Sequence, residues 1–221
     1  MNPLSHYTFV EEITLLALDD AAGTPLAMPP LAFSYALAGA ILCDLSELNR
    51  IDTDPEKLVV LNSATTCDPI LDQALALLAS ATQTESVSRW LGVLSEQSRV
   101  YHRAATDRLV ARGVLRREEA KILWVFGTRR YPTVDNHERI EVRTRLSALI
   151  LGDDLPDPRD ATLLSLLAAC QLTGHIFNGA PFAARAERIA TLAKMDLVGR
   201  EVAGAIEAIA RAMSATVAIG M

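Results

Sequence analysis

The chain has 221 residues, half of them apolar, and carries 21 Lys or Arg against 27 Asp or Glu for a net charge of −6. That is enough chain for one substantial core, and the acidic balance excludes a protein that coats DNA through its overall charge. Cys43, Cys67 and Cys170 are odd in number and widely spaced, which excludes a disulfide framework and predicts reduced thiols in a cytoplasmic protein, with Cys67 a small buried residue.

The predicted elements are overwhelmingly helical. Phe9 to Leu18 is an apolar helix holding Glu11 and Glu12, ended by a turn at Asp19 to Gly23. Pro29 and Pro30 precede a second helix from Ser34 to Leu48, where Ala36, Ala38, Gly39 and Ala40 permit close packing. Leu58 to Leu61 reads as a short strand. Asp68-Pro69 is a cap followed by a proline suited to a first turn, and starts a helix to Ala79. Further helices follow at Glu85 to Leu94 and Gln97 to Arg112, the second stopped by Gly113. A short charged helix at Arg116 to Lys121 leads into the apolar run Ile122-Leu123-Trp124-Val125-Phe126, which with the Gly127 turn reads as a β-hairpin. Asp135 and Glu138 have capping-box spacing and start a helix to Gly152. Asp160 is expected to cap the next helix, through Leu172, and two more span Pro181 to Ala193 and Gly199 to Ala215. The expectation is a mainly α fold, a single domain over residues 1–221 with a central helix bundle and one β-hairpin.

Two segments lack formal charge, Ala21 to Cys43 and Ala161 to Ala184. Prolines interrupt the first, and Gln171, Gly174, Asn178 and Pro181 the second, so neither reads as a spanning helix. No signal peptide is expected, since no basic stretch followed by an apolar one is read at the start. A soluble protein is expected, with any membrane contact peripheral.

Charge is unevenly placed. From Arg99 to Arg145 there are twelve Lys or Arg and six Asp or Glu, a balance of +6 within a chain of −6. The five-residue apolar run lies inside this stretch and is followed by Arg129, Arg130 and Tyr131. Burying five such side chains is worth roughly 10 kcal/mol, so the run needs a core, a partner or lipid to cover it. A basic surface beside it suits an anionic partner, either lipid headgroups or nucleic acid. Within the long helix, Arg99, His102 and Arg103 stand at i, i+3 and i+4 and share a face. Two forked guanidinium groups with an imidazole between them can grip a phosphate. The same pattern also describes a solvated arginine face paired with Glu96 and Asp107.

Signs of catalysis are sparse. The four histidines are scattered and no nucleophile motif accompanies them. Asp19-Asp20 and the group Asp153, Asp154, Asp157 and Asp160 offer oxygens to a cation but lack the glycine-centred loop and closing Glu of a calcium site. No enzyme, cofactor or metal centre is expected.

Several ordered blocks resemble the Golgi phosphoprotein 3 family, phosphatidylinositol 4-phosphate-binding peripheral membrane proteins with bacterial-type members. They are Glu11-Glu12-Ile13-Thr14-Leu15-Leu16-Ala17-Leu18-Asp19-Asp20 with Gly23, then Leu37-Ala38-Gly39-Ala40-Ile41-Leu42 and Asn49-Arg50-Ile51. Asp68-Pro69-Ile70-Leu71-Asp72-Gln73-Ala74-Leu75 and Trp90-Leu91 follow. Leu109-Val110-Ala111-Arg112-Gly113-Val114-Leu115 and a final block from Arg159 to Leu167 complete the set. The resemblance implies a helical domain whose hairpin serves oligomerisation beside a basic lipid-headgroup pocket. Of the family's four pocket positions, the two on the long middle helix fall on Arg99 and His102. The other two fall on Ala38 and on the stretch Pro29 to Phe33, which contains no Trp.

The expected function is a non-enzymatic, peripherally membrane-associated protein that binds anionic lipid headgroups or acts as an adaptor for a protein partner. It is expected to form a homo-oligomer through the Ile122 to Tyr131 hairpin. The alternative is a winged-helix nucleic-acid binder, with Arg103 to Leu115 as helix and Arg129-Arg130 as wing, disfavoured because that unit explains under a third of the chain.

Overall fold

The computed structural model describes residues 7–19, 22–54, 57–120, 128–134, 136–206 and 208. Its centre is the short helix α1 (Phe9–Leu16), every residue of which is buried. A capping box starts it: the Thr8 hydroxyl accepts from the Glu11 amide at 3.2 Å, and Glu11 Oε2 accepts from the Thr8 amide at 2.9 Å. Helix α2 (Pro30–Glu47) lies against it, with Pro30 in the first turn where its missing N–H costs nothing. Ala32, Ala36, Ala38 and Ala40 of α2 are fully buried and let several helices approach.

Two short strands, β1 (Ile51–Thr53) and β2 (Leu58–Val60), pair antiparallel with Ile51 opposite Val60. Asp68 caps α3 (Pro69–Ala79), accepting from the Ile70 amide at 2.9 Å. Ser86 caps α4 (Val87–Ser95), which runs almost directly into α5 (Ser98–Ala111). The strands β3 (Glu118–Ala120) and β4 (Thr128–Arg130) follow, Glu118 opposite Arg130. Helices α6 (His137–Leu151) and α7 (Pro158–Ala169) close round α1. The short helices α8 (Thr173–Ile176), α9 (Ala180–Ala183) and α10 (Ala186–Leu192) come next, and residues 197–206 are helical. Most buried side chains form one apolar cluster, with a small satellite of Leu15, Leu18, Leu109, Val114 and Leu115 under the base of the β3–β4 ribbon.

The mainly α architecture agrees with the sequence. Local expectations fail where side chains had two employments. Residues 118–120 are a strand and not part of a charged helix, because their backbone pairs with residues 128–130. Two two-stranded ribbons are present among the described residues instead of one. Asp157, not Asp160, caps α7, accepting from the Arg159 amide at 2.9 Å. Asp160 sits in the first turn and receives Arg145 at 2.9 Å. Helix α6 begins after Asn136, whose left-handed backbone (φ 61°) ends the preceding turn without a side-chain cap; Asp135 lies outside the described residues. The stretch 181–193 is split into α9 and α10 by a turn at 184–185. Cys67 is exposed, with a positive φ of 64°, while Cys43 and Cys170 are buried.

The loop after α1 fixes the ribbon. The Tyr131 amide donates to the Gly23 carbonyl at 2.8 Å, and the Arg116 amide to Pro132 at 2.9 Å. Gly23 has φ of 60°, and a Cβ there would lie 2.2 Å from the Pro132 nitrogen, so only glycine fits this crossing.

Candidate functional site

The two adjacent glutamates of α1 organise most of the basic residues. Glu11 faces α5, where Arg108 approaches at 3.3 Å and Arg112 at 3.7 Å; Arg108 also pairs with Asp68. Glu12 faces the other side, receiving Arg145 of α6 at 3.0 Å and Arg159 of α7 at 2.9 Å. Arg159 also pairs with Glu47 and lies over the Phe9 ring at 4.1 Å, and Arg112 lies over the Tyr7 ring at 3.7 Å. Burial pushes the Glu12 carboxyl upward while Arg159 and Arg145 pull it down. Arg139 is itself buried and donates to the Leu18 carbonyl.

The +6 segment therefore spends much of its charge inside the protein. Arg108, Arg112 and Arg145 neutralise carboxylates from outside the segment, and Arg116 and Arg117 pair at the surface with Glu118 and Asp107. That is one physical use of a basic stretch within an acidic chain: three of its arginines meet carboxylates of the remainder, which carries −12. Surface basicity is correspondingly smaller than the local count suggests.

The residues predicted to grip an anion lie in the first turns of α5. Arg99 and Arg103 are exposed, and Arg103 makes a long 3.8 Å pair with Asp107. His102 is half-buried and meets the Phe33 ring edge-on, with centroids 5.5 Å apart. Burial holds its pKa below the usual histidine value. One turn earlier Ser98 Oγ lies 3.0 Å from Ser34 Oγ. The start of α5 is thus joined to the start of α2, so Phe33 of the proline-bounded stretch stands beside His102. Ala38, by contrast, is fully buried.

Of the hairpin residues, Ile122, Leu123, Trp124, Val125 and Phe126 lie outside the described residues. Arg129 and Arg130 belong to β4, the Arg130 side chain is exposed, and Tyr131 is half-buried against the satellite cluster.

Sequence reading missed the roles of Glu11, Glu12, Arg145 and Arg159. A pair of glutamates inside an otherwise apolar helix was the available signal, since charged groups enter a core only when paired. The Thr8-x-x-Glu11 spacing was equally visible and announces the start of α1. Three of the aspartates considered for a cation have other work: Asp157 caps α7, Asp160 pairs with Arg145, and Asp153 pairs with Arg185 at 3.0 Å.

A mainly helical assembly around a buried, charge-paired helix, with a ribbon pinned to its loop, is a helical scaffold presenting side chains at its rim. A family model, Golgi phosphoprotein 3 (GPP34), matches residues 9–209. The chain belongs to that family. No described helix is long and apolar enough to cross a membrane.

Proposed function

We propose that the protein is a non-enzymatic, peripherally membrane-associated lipid-binding or adaptor protein of the cytoplasm. Its headgroup site is formed by Arg99, His102 and Arg103 at the start of α5, and it self-associates through the hairpin of residues 122–131. Family membership supports the class. One observation carries the site: Arg99 and Arg103 point to solvent one turn apart on α5, while Arg108, Arg112 and Arg145 are turned onto buried glutamates. These two guanidinium groups are open to a phosphate approaching from solvent. Each cation near an anionic surface contributes about 1 kcal/mol, screened by salt, so the anchor is weak and benefits from a self-associated protein presenting several copies.

The test is co-sedimentation with vesicles containing phosphatidylinositol 4-phosphate, another anionic lipid, or phosphatidylcholine alone, at low and high salt, beside duplex DNA under the same conditions. Binding to anionic vesicles that falls with salt and with Arg99→Ala or Arg103→Ala is expected. Binding to DNA without binding to any vesicle would transfer the function to the winged-helix reading. Light scattering of a chain lacking residues 122–131 tests self-association, with a shift toward monomer expected.

A further inference from the structure

The β1–β2 ribbon leaves one edge of β2 open. The Leu61 amide donates to the Arg50 carbonyl at 2.8 Å and the Asp54 amide to the Lys57 carbonyl at 2.9 Å. In the antiparallel register, the hydrogen-bonded rungs are therefore Arg50–Leu61, Asp52–Val59 and Asp54–Lys57. Leu58 and Val60 fall between these rungs, so their main-chain groups point away from β1. At Leu58 the outward amide is in use, donating to the Glu85 carbonyl at 2.9 Å. The Val60 N–H, the Val60 carbonyl and the Leu58 carbonyl have no partner among the described residues. Beside this edge lies a cavity of about 200 Å³, bounded by residues 58–60, by the loop 81–84 and by Leu78 and Trp90. That loop leads into Glu85, the outer neighbour of Leu58, so the cavity lies on the side to which Val60 points.

Trp90 supplies a second, independent observation. It is 6% exposed and lines the cavity, and its indole N–H has no acceptor among the described residues, yet the nitrogen is not closed off from solvent. A buried indole ordinarily finds a hydrogen-bond partner. No charged side chain lines the cavity. We propose that the β2 edge receives an extended peptide segment of a partner protein as an added strand. The peptide residue opposite Val60 accepts from the Val60 N–H and donates to the Val60 carbonyl. Its side chain then lies on the same face as Val60, over Leu78 and Trp90, where an amide or hydroxyl oxygen accepts from the indole. A charged side chain is rejected there, because it would leave water without a counter-charge. Val59 and Leu61, 40% and 59% exposed on the opposite face, give the flanking residues of such a strand apolar neighbours to cover. The proposal deepens the adaptor reading and rests on its protein-partner half alone, since no residue of the lipid-headgroup site takes part.

The test is NMR of the full chain without vesicles, following the Val60 amide and the Trp90 indole proton as acetyl-Thr-Val-Gln-Val-Thr-amide is added. Rapid hydrogen exchange at Val60 in the free protein is expected, then saturable shifts of both protons with peptide. Lys or Glu in place of the central Gln should weaken binding about tenfold, and so should N-methylation of that Gln, which removes one main-chain hydrogen bond. Trp90→Phe should weaken the Gln peptide and leave its Leu counterpart unchanged. The N-methylated peptide decides the matter on the unaltered protein if that variant does not fold. A Val60 amide already protected in the free protein would assign the edge to a second copy of the chain and overturn the proposal. No saturable shift, or equal binding of the charged or N-methylated peptides, would also overturn it. Peptide binding by a protein that ignores every vesicle would remove the lipid reading alone, and vesicle binding without peptide binding this one alone.

Discussion

Arg159 reaches across 147 positions of sequence to donate from Nη2 to Glu12 Oε2 at 2.9 Å, with its guanidinium lying over the Phe9 ring. Together with the capping box at Thr8, this contact sets the central helix in place from both its polar and its apolar sides. Removing one partner of a buried pair leaves a charge without compensation. Glu12→Ala and Arg159→Ala are each expected to cost about 3–5 kcal/mol in chemical denaturation. Arg116→Ala, which breaks an exposed pair with Glu118, is expected to cost under about 1 kcal/mol. Equal losses in all three would refute this ranking.

Asp44 is fully enclosed on α2 and accepts from the Phe9 amide at 2.8 Å and the Val10 amide at 3.4 Å. Burial raises its carboxyl to about 8, with Glu47 adding to the rise and the two amides and Arg159 opposing it. A folded-state value above the unfolded one means that Asp44 stabilises most below about pH 4, and that this contribution is lost as pH climbs toward 8. The wild type should therefore lose stability over that window, and Asp44→Asn should lose less of it. Parallel pH profiles of the two proteins by thermal denaturation would remove the argument.

His102 titrates below its ordinary value because burial disfavours the imidazolium, and the Phe33 ring forms part of that cover. Its contribution to stability is present above about pH 6.5 and lost as pH falls through the lower folded value. If the α5 site holds a phosphate, binding should stay flat between pH 7 and 8 and strengthen only in the acid range, where His102 gains its charge. Phe33→Ala should move the His102 titration, followed by NMR, back toward the unperturbed value. An unmoved titration would show that other cover is responsible.

Two glycines of the helical stretch 197–206 behave oppositely. A Cβ on Gly199 would lie 1.7 Å from Ser165 Oγ and 2.5 Å from Ser165 Cβ, whereas one on Gly204 meets nothing within 4 Å. Gly199→Ala must push the helix off α7 and should cost about 1–3 kcal/mol. Gly204→Ala should gain about 0.5–1 kcal/mol from helix propensity. Thermal midpoints of the two variants check both signs, and a tolerated Gly199→Ala would mean that this helix is not seated on α7 as described.

Helix periodicity, Asp68-Pro69, Gly113 and the prolines before α2 are local signals, and they located the long helices without any knowledge of tertiary contacts. The sequence by itself determined the helical class, the family blocks, and the placing of Arg99, His102 and Arg103 near one end of one helix. Only the tertiary structure decided which arginines remain outside. Arg99 and Arg108 are equivalent as residue types on α5, yet Arg108 turns onto Glu11 and Asp68 while Arg99 meets solvent. Likewise Asp160 was the expected cap, yet Arg145 of a separate helix donates to it and Asp157 caps α7 instead. Charge pairing acts over a few ångströms irrespective of sequence distance, so partners 147 positions apart compete with neighbours. A local pattern records which groups can pair, and the packing of α1 among α2, α5, α6 and α7 selects which do.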